Sequence, residues 1–179
     1  MRFFDQLILA CIKLQGNRIY WGKYSEDDRN TFIANMLEAG GYHVKDQTRW
    51  SKSAAGKAAG EIDIFVQDNN AFPFTIIEAL NLDSLRADYL VLHIDKLFNY
   101  DANGFENNFI LVYSNAGNFL NFWNGYYSFI QKHAYTHSFL NAEEITAYNY
   151  SDLKIAKLTH HRNGKQVNVF HLVLDLNKT

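Results

Sequence analysis

Two short runs, "GEIDIFVQ" at 60–67 and "FTIIEAL" at 74–80, constrain this chain more than any other feature. The first alternates strictly. Ile62, Ile64 and Val66 point to one face, and Glu61, Asp63, Phe65 and Gln67 to the other, which is the period of a β-strand. The second is almost wholly apolar and reads as the next strand. Between them "DNNAFP" has turn composition and ends in the only proline of the chain. The pair therefore predicts two adjacent strands, with carboxylates inside them.

The flanking segments supply the rest of a mixed architecture. "SEDDRNTFIANMLEAGGY" predicts a helix that Ser25 caps, with acidic residues in its first turn and an apolar stripe of Phe32, Ile33, Met36 and Leu37. Gly40-Gly41 ends it. "YHVKDQTRW" predicts a strand, and "SKSAAGKAAG" a glycine-punctuated basic loop. After the strand pair come a helix in "DSLRADYLVLHIDKLFNYD" capped by Asp83 or Ser84, a buried strand in "NFILVYSNAG", and an aromatic helix in "NFLNFWNGYYSFIQKH". The tail predicts a β-hairpin turning at Asn163-Gly164. The opening "MRFFDQLILACIKLQGNR" reads as a short amphipathic helix rather than a leader, because Asp5, Gln6 and Lys13 interrupt its apolar run. The expected fold class is α/β of the α+β kind: a mixed central sheet flanked by helices, with a C-terminal hairpin.

The carboxylates demand an explanation. Glu61 and Asp63 share a face of the first strand, and Glu78 shares a face of the second with Ile76 and Leu80. A carboxylate between large apolar neighbours needs a cation, a hydrogen-bond donor or a raised pKa. A turn between the strands would bring Asp63 beside Glu78, and hard oxygen ligands gathered at one point suit Mg²⁺, Mn²⁺ or Ca²⁺. The plainer alternative is that Glu61 and Asp63 face solvent and Glu78 pairs with a lysine or arginine.

"GEIDIFVQDNNAFPFTIIEA" resembles the core signature of the restriction-endonuclease-like, or PD-(D/E)XK, nuclease superfamily. That signature is a Gly-Glu-Ile-Asp type strand, a short turn and an apolar strand ending in Glu-X-Lys. The order of elements agrees over residues 25–117, with 1–20 and 140–179 as additions to one domain spanning 1–179. The resemblance implies a restriction-endonuclease-like sheet and a Mg²⁺- or Mn²⁺-dependent nuclease. Asp63 and Glu78 would hold the metal with the backbone carbonyl of Ala79, and Glu61 would support them. It also implies prokaryotic defence, restriction or repair, with DNA before RNA as the substrate. The alternative is a descendant that no longer cuts and binds nucleic acid or a protein partner.

Two departures from the pattern direct attention elsewhere. The motif lysine falls at position 80, where this chain has Leu80. In the superfamily that lysine migrates, and the first candidate here is Lys96, with Lys57 second. Helical spacing sets Tyr89, His93, Lys96 and Tyr100 on one stripe, beside an apolar face of Leu90, Ile94 and Leu97. His93 is thereby a supporting candidate. Where many relatives carry a glutamate in the first core helix, this chain has Asn30, with Glu26 one turn earlier on the same face. Lys96 as a plain surface lysine and His93 as a plain helix histidine are the alternative readings.

Arg49, Lys52 and Lys57 make the loop before the first strand a candidate nucleic-acid contact. The net charge of −2 advertises no general basic surface, so a homodimer or a larger assembly is expected to supply one. His160 and His161 are expected at the surface, and "NFWNGYYSF" in the core or an oligomer interface. The single cysteine, Cys11, excludes an internal disulfide and fits a reducing cytoplasm. No membrane span is expected.

Overall fold

The computed structural model describes residues 2–51 and 60–177; of residues 46–51 and 60–61 it describes the backbone alone. Twelve elements follow one another: α1 (Phe3–Gly16), α2 (Arg18–Trp21), α3 (Glu26–Ala39), β1 (His43–Ser51), β2 (Gly60–Gln67), β3 (Pro73–Leu82), α4 (Ala87–Tyr100), β4 (Asn107–Ser114), α5 (Phe119–Lys132), β5 (Ser138–Glu144), β6 (Leu153–Arg162) and β7 (Lys165–Asp175). The seven strands form one sheet in the order β1-β2-β3-β4-β7-β6-β5. The β3/β4 and β4/β7 pairs are parallel and the other pairs antiparallel.

Apolar side chains cover both faces of this sheet. On one face α4 and α5 pack Leu90, Ile94, Leu97, Trp123 and Tyr126 against Phe65, Ile76, Leu80, Ile110 and Val112. On the other, α1 and α3 pack Leu7, Cys11, Leu14, Ile33 and Leu37 against Ile64, Val66, Ile77, Leu111 and Tyr113. The unbroken apolar run of β4 is explained by its central place, since its residues from Asn108 onward are buried. The mixed sheet between helical layers is the architecture expected from the pattern of elements.

Local chemistry fixes the elements. Ser25 and Asp28 form a reciprocal capping box at the start of α3: the Asp28 amide donates to Ser25 Oγ at 3.2 Å and the Ser25 amide to Asp28 Oδ2 at 3.0 Å. Ser25→Ala is expected to destabilise the fold by about 1 kcal/mol, as read from urea unfolding. Unchanged stability would show that the exposed first turn is held by other contacts. At the other end Gly41 takes φ 93°, a left-handed conformation that glycine adopts without a Cβ penalty. The β6–β7 turn places Asn163 and Gly164 at φ 48° and 83°, the paired positive values of a type I′ hairpin.

Several expectations change. Helix α4 begins after Arg86 with no side-chain cap, so neither Asp83 nor Ser84 serves as one; both lie exposed in a bend between β3 and the helix. The expected C-terminal hairpin is present as β6 and β7. Strand β7 pairs with central β4 from Asn168 to Asp175. Strand β5 is an additional edge strand, recessive in sequence because it exposes most of its residues. His160 is fully buried, facing Phe98, Tyr135 and Phe139, whereas His161 is exposed. Ile62 sits in the same cluster as Phe65, not with Ile64 and Val66, beyond the last β2–β3 pair. Among the described residues no helix is long and apolar enough to cross a membrane.

Candidate functional site

The site forms where β2 and β3 part. Their antiparallel pairing runs from Gln67 opposite Pro73 to Ile64 opposite Ile77. One more step along that register sets Asp63 opposite Glu78, with both side chains on the face that α4 covers. At that step the Asp63 carboxylate accepts the Ala79 amide through Oδ2 at 2.8 Å. A side chain thus satisfies a β3 backbone donor, and the carboxylate is held in one orientation.

Helix α4 brings a cation to the pair. The Lys96 ammonium lies 2.9 Å from Asp63 Oδ1 and 2.9 Å from Glu78 Oε2. His93, one turn earlier, places Nδ1 3.3 Å from the same Glu78 oxygen. The predicted stripe is present: the Tyr89 ring meets His93 edge-on with centroids 4.7 Å apart, and Lys96 Nζ lies 5.7 Å from the centre of the Tyr100 ring. Position 80, where the resembling motif has lysine, is fully buried, and Leu80 packs there in the α4/α5 core.

Burial dominates the electrostatics. Glu78 is fully buried, and desolvation raises its pKa; Asp63 adds to the rise, while His93 and Lys96 oppose it. Its Oε1 is buried with no hydrogen-bond partner among the described residues, an arrangement that costs energy unless something occupies the position. Burial alone would lower the Lys96 pKa. Glu78 and Asp63 reverse that and hold it at about 12. Lys96 is therefore an ammonium at neutral pH, able to offset negative charge but not to take a proton.

A second polar layer reaches the site from α3. Glu26 accepts from Asn81 Nδ2 at 3.0 Å, and its pKa is pushed up to about 6, first by burial and then by the charge of Asp63. Arg29, buried on the same helix, donates to Asn81 Oδ1 and to the Trp21 carbonyl. Asn30 accepts the Tyr113 hydroxyl at 2.9 Å, whereas Glu26 is the residue of this helix whose carboxyl feels the charge of Asp63. Asn81 and Arg29 escaped the sequence reading. Their signal was slight: an asparagine in an apolar strand three residues after Glu78, and an arginine one turn after Glu26.

The structure thus gathers Asp63, Glu78, His93 and Lys96, with Glu26 at the margin. Ala79 contributes its amide to Asp63. Lys52 and Lys57 lie outside the described residues, as do the side chains of Arg49 and Glu61. One ligand atom each from Asp63, Glu78 and His93 lie within 4.8 Å of one another, a spacing compatible with a shared divalent cation. The fold and site define a mixed α/β protein with a lysine-bridged carboxylate pair on adjacent strands. No protein-family model, curated protein or solved structure matches the chain.

Proposed function

We propose that this protein is a divalent-metal-dependent nuclease that hydrolyses phosphodiester bonds, in DNA before RNA, in a prokaryotic defence, restriction or repair setting. The observation that carries the reading is the Asp63–Glu78 pair, side by side where two strands part and bridged by the Lys96 ammonium. A lysine beside a strand carboxylate pair is the arrangement that the sequence resemblance implies, supplied here from α4. The residues fit a metal: Glu78 Oε1 is buried without a partner among the described residues, and Asp63 and Glu78 offer hard oxygen ligands. When bound, such a cation would lower the pKa of an attacking water and offset charge on the phosphate.

The chain's own residues have distinct tasks in this reading. Asp63 and Glu78 hold the cation, with Asp63 fixed in place by the Ala79 amide. Lys96, permanently charged, stabilises the negative charge that builds on the phosphoryl oxygens. Glu26, with its pKa near the working range, is suited to carry a proton at the margin of the site. Arg49, whose backbone lies in β1 rather than in the expected loop, would with Lys52 and Lys57 follow the nucleic-acid backbone, and a dimer or larger assembly would extend that surface.

The test is cleavage of a panel of DNA and RNA substrates by purified protein with Mg²⁺ or Mn²⁺. Asp63→Ala and Glu78→Ala are each expected to lower the rate by at least about a hundredfold with the fold retained. Wild-type rates in both variants would refute the assignment. A non-catalytic domain binding nucleic acid or protein is the second reading. Lys96 favours it in one respect, because the ammonium already contacts an oxygen of each carboxylate. Nucleic-acid binding without metal-dependent cleavage on any substrate would select it.

A further inference from the structure

We infer that His93 is a third metal ligand and that it tunes the site toward a first-row transition ion over Mg²⁺. The inference rests on the proposed metal site and goes beyond it. His93 Nδ1 already faces the Glu78 carboxylate at 3.3 Å, and its ligand atom falls with those of Asp63 and Glu78 inside one 4.8 Å cluster. The buried Glu78 Oε1, without a partner among the described residues, is an independent sign that the cluster is built to receive something. The imidazole is itself positioned: it sits one helical turn before Lys96, and the Tyr89 ring packs edge-on against it.

The donor set decides the preference. Mg²⁺ takes oxygen ligands in a near-ideal octahedron and retains several waters. A site offering one nitrogen beside two carboxylates gives Mg²⁺ little, whereas divalent first-row ions accept imidazole readily. Mn²⁺ accepts both donor types and is paramagnetic, so it serves as the probe.

The experiment titrates the full chain with Mn²⁺ and with Mg²⁺ and records the spin-echo modulation of bound Mn²⁺. The wild type is expected to bind Mn²⁺ roughly tenfold or more tightly than Mg²⁺ and to show nitrogen modulation from a coordinated imidazole. His93→Ala should abolish that modulation and bring the two affinities within about threefold of each other. His93→Gln, which keeps a polar side chain of similar reach, should also lose the modulation, guarding against an effect of lost packing. Mn²⁺ binding that depends on Asp63 but carries no nitrogen modulation would overturn the inference and leave the carboxylate metal site standing. Binding indifferent to Asp63→Ala would overturn both.

Discussion

Lys96→Met is expected to destabilise the fold by on the order of 3 kcal/mol at neutral pH, and by clearly less in mild acid. The methionine keeps the apolar stem and removes the ammonium that touches both Asp63 and Glu78. Glu78 is fully buried, and removing one partner of a buried pair leaves the other charge uncompensated, which costs about 3–5 kcal/mol. The pH dependence follows from the sign of the Glu78 shift. Its folded pKa is raised above the unfolded value, so the folded state binds the extra proton, and stability falls as pH rises through that window. Without Lys96 the pKa rises further, and protonation of Glu78 relieves the penalty on acidification. Urea unfolding of both proteins at about pH 7.5 and about pH 5.5 reads the difference. An equal and small loss at both pH values would mean that the ammonium does not compensate the buried Glu78 carboxyl.

The second large effect arises two strands from Glu78, across Ile110, and has the opposite sign. His171 is fully buried, with Nδ1 2.7 Å from the Tyr126 hydroxyl, and His160 is fully buried among Phe98, Tyr135 and Phe139. Burial pulls the His160 pKa down to about 4, with the backbone at His137 opposing and the His137 ring adding. Burial pulls His171 down to about 3, with His160 adding. The unfolded chain takes up protons below about pH 6.5 that the folded chain refuses, so stability is lost as pH falls from there toward those values. Between about pH 7 and about pH 4.5 each histidine should withdraw about 2 to 3 kcal/mol, together about 5. Glu26 and Glu78 act in the reverse sense, so the clean comparison is with a variant carrying His160→Phe and His171→Gln. The wild type should lose about 5 kcal/mol more than the variant across that range in urea unfolding. Parallel pH profiles for the two proteins would contradict the burial of neutral imidazoles.

How much of this was legible in sequence depends on how local each feature is. The Asp63–Glu78 juxtaposition follows from period-two alternation and a short turn. The reach of Lys96 follows from 3.6-residue periodicity, which placed it on a stripe with Tyr89, His93 and Tyr100. Leu80 was legible as an absence, and the fold supplies its reason: position 80 points into the packed core. The non-local features were not legible. Nothing in "QVNVFHLVLDL" announces that β7 inserts beside β4, because parallel pairing between distant segments leaves no spacing signal. The burial of His160 is a consequence of that insertion, since a hairpin free of the sheet would leave it wet. The Glu26–Asn81–Arg29 contacts join residues more than fifty positions apart, and only the packing of α3 on the sheet brings them together.

In the proposed function the lysine-bridged carboxylate pair cuts phosphodiester bonds, and Lys96 supplies the charge that Leu80 cannot. The most direct measurement is single-turnover cleavage of DNA by the wild type and by Lys96→Met, with Mn²⁺ present and at a temperature where both are folded. Metal-dependent cleavage is expected from the wild type and a loss of at least about a hundredfold in the variant, the scale of removing one preorganised charge-stabilising group. Equal cleavage by the two proteins would contradict the proposed function, as would a wild type that leaves every DNA and RNA substrate intact.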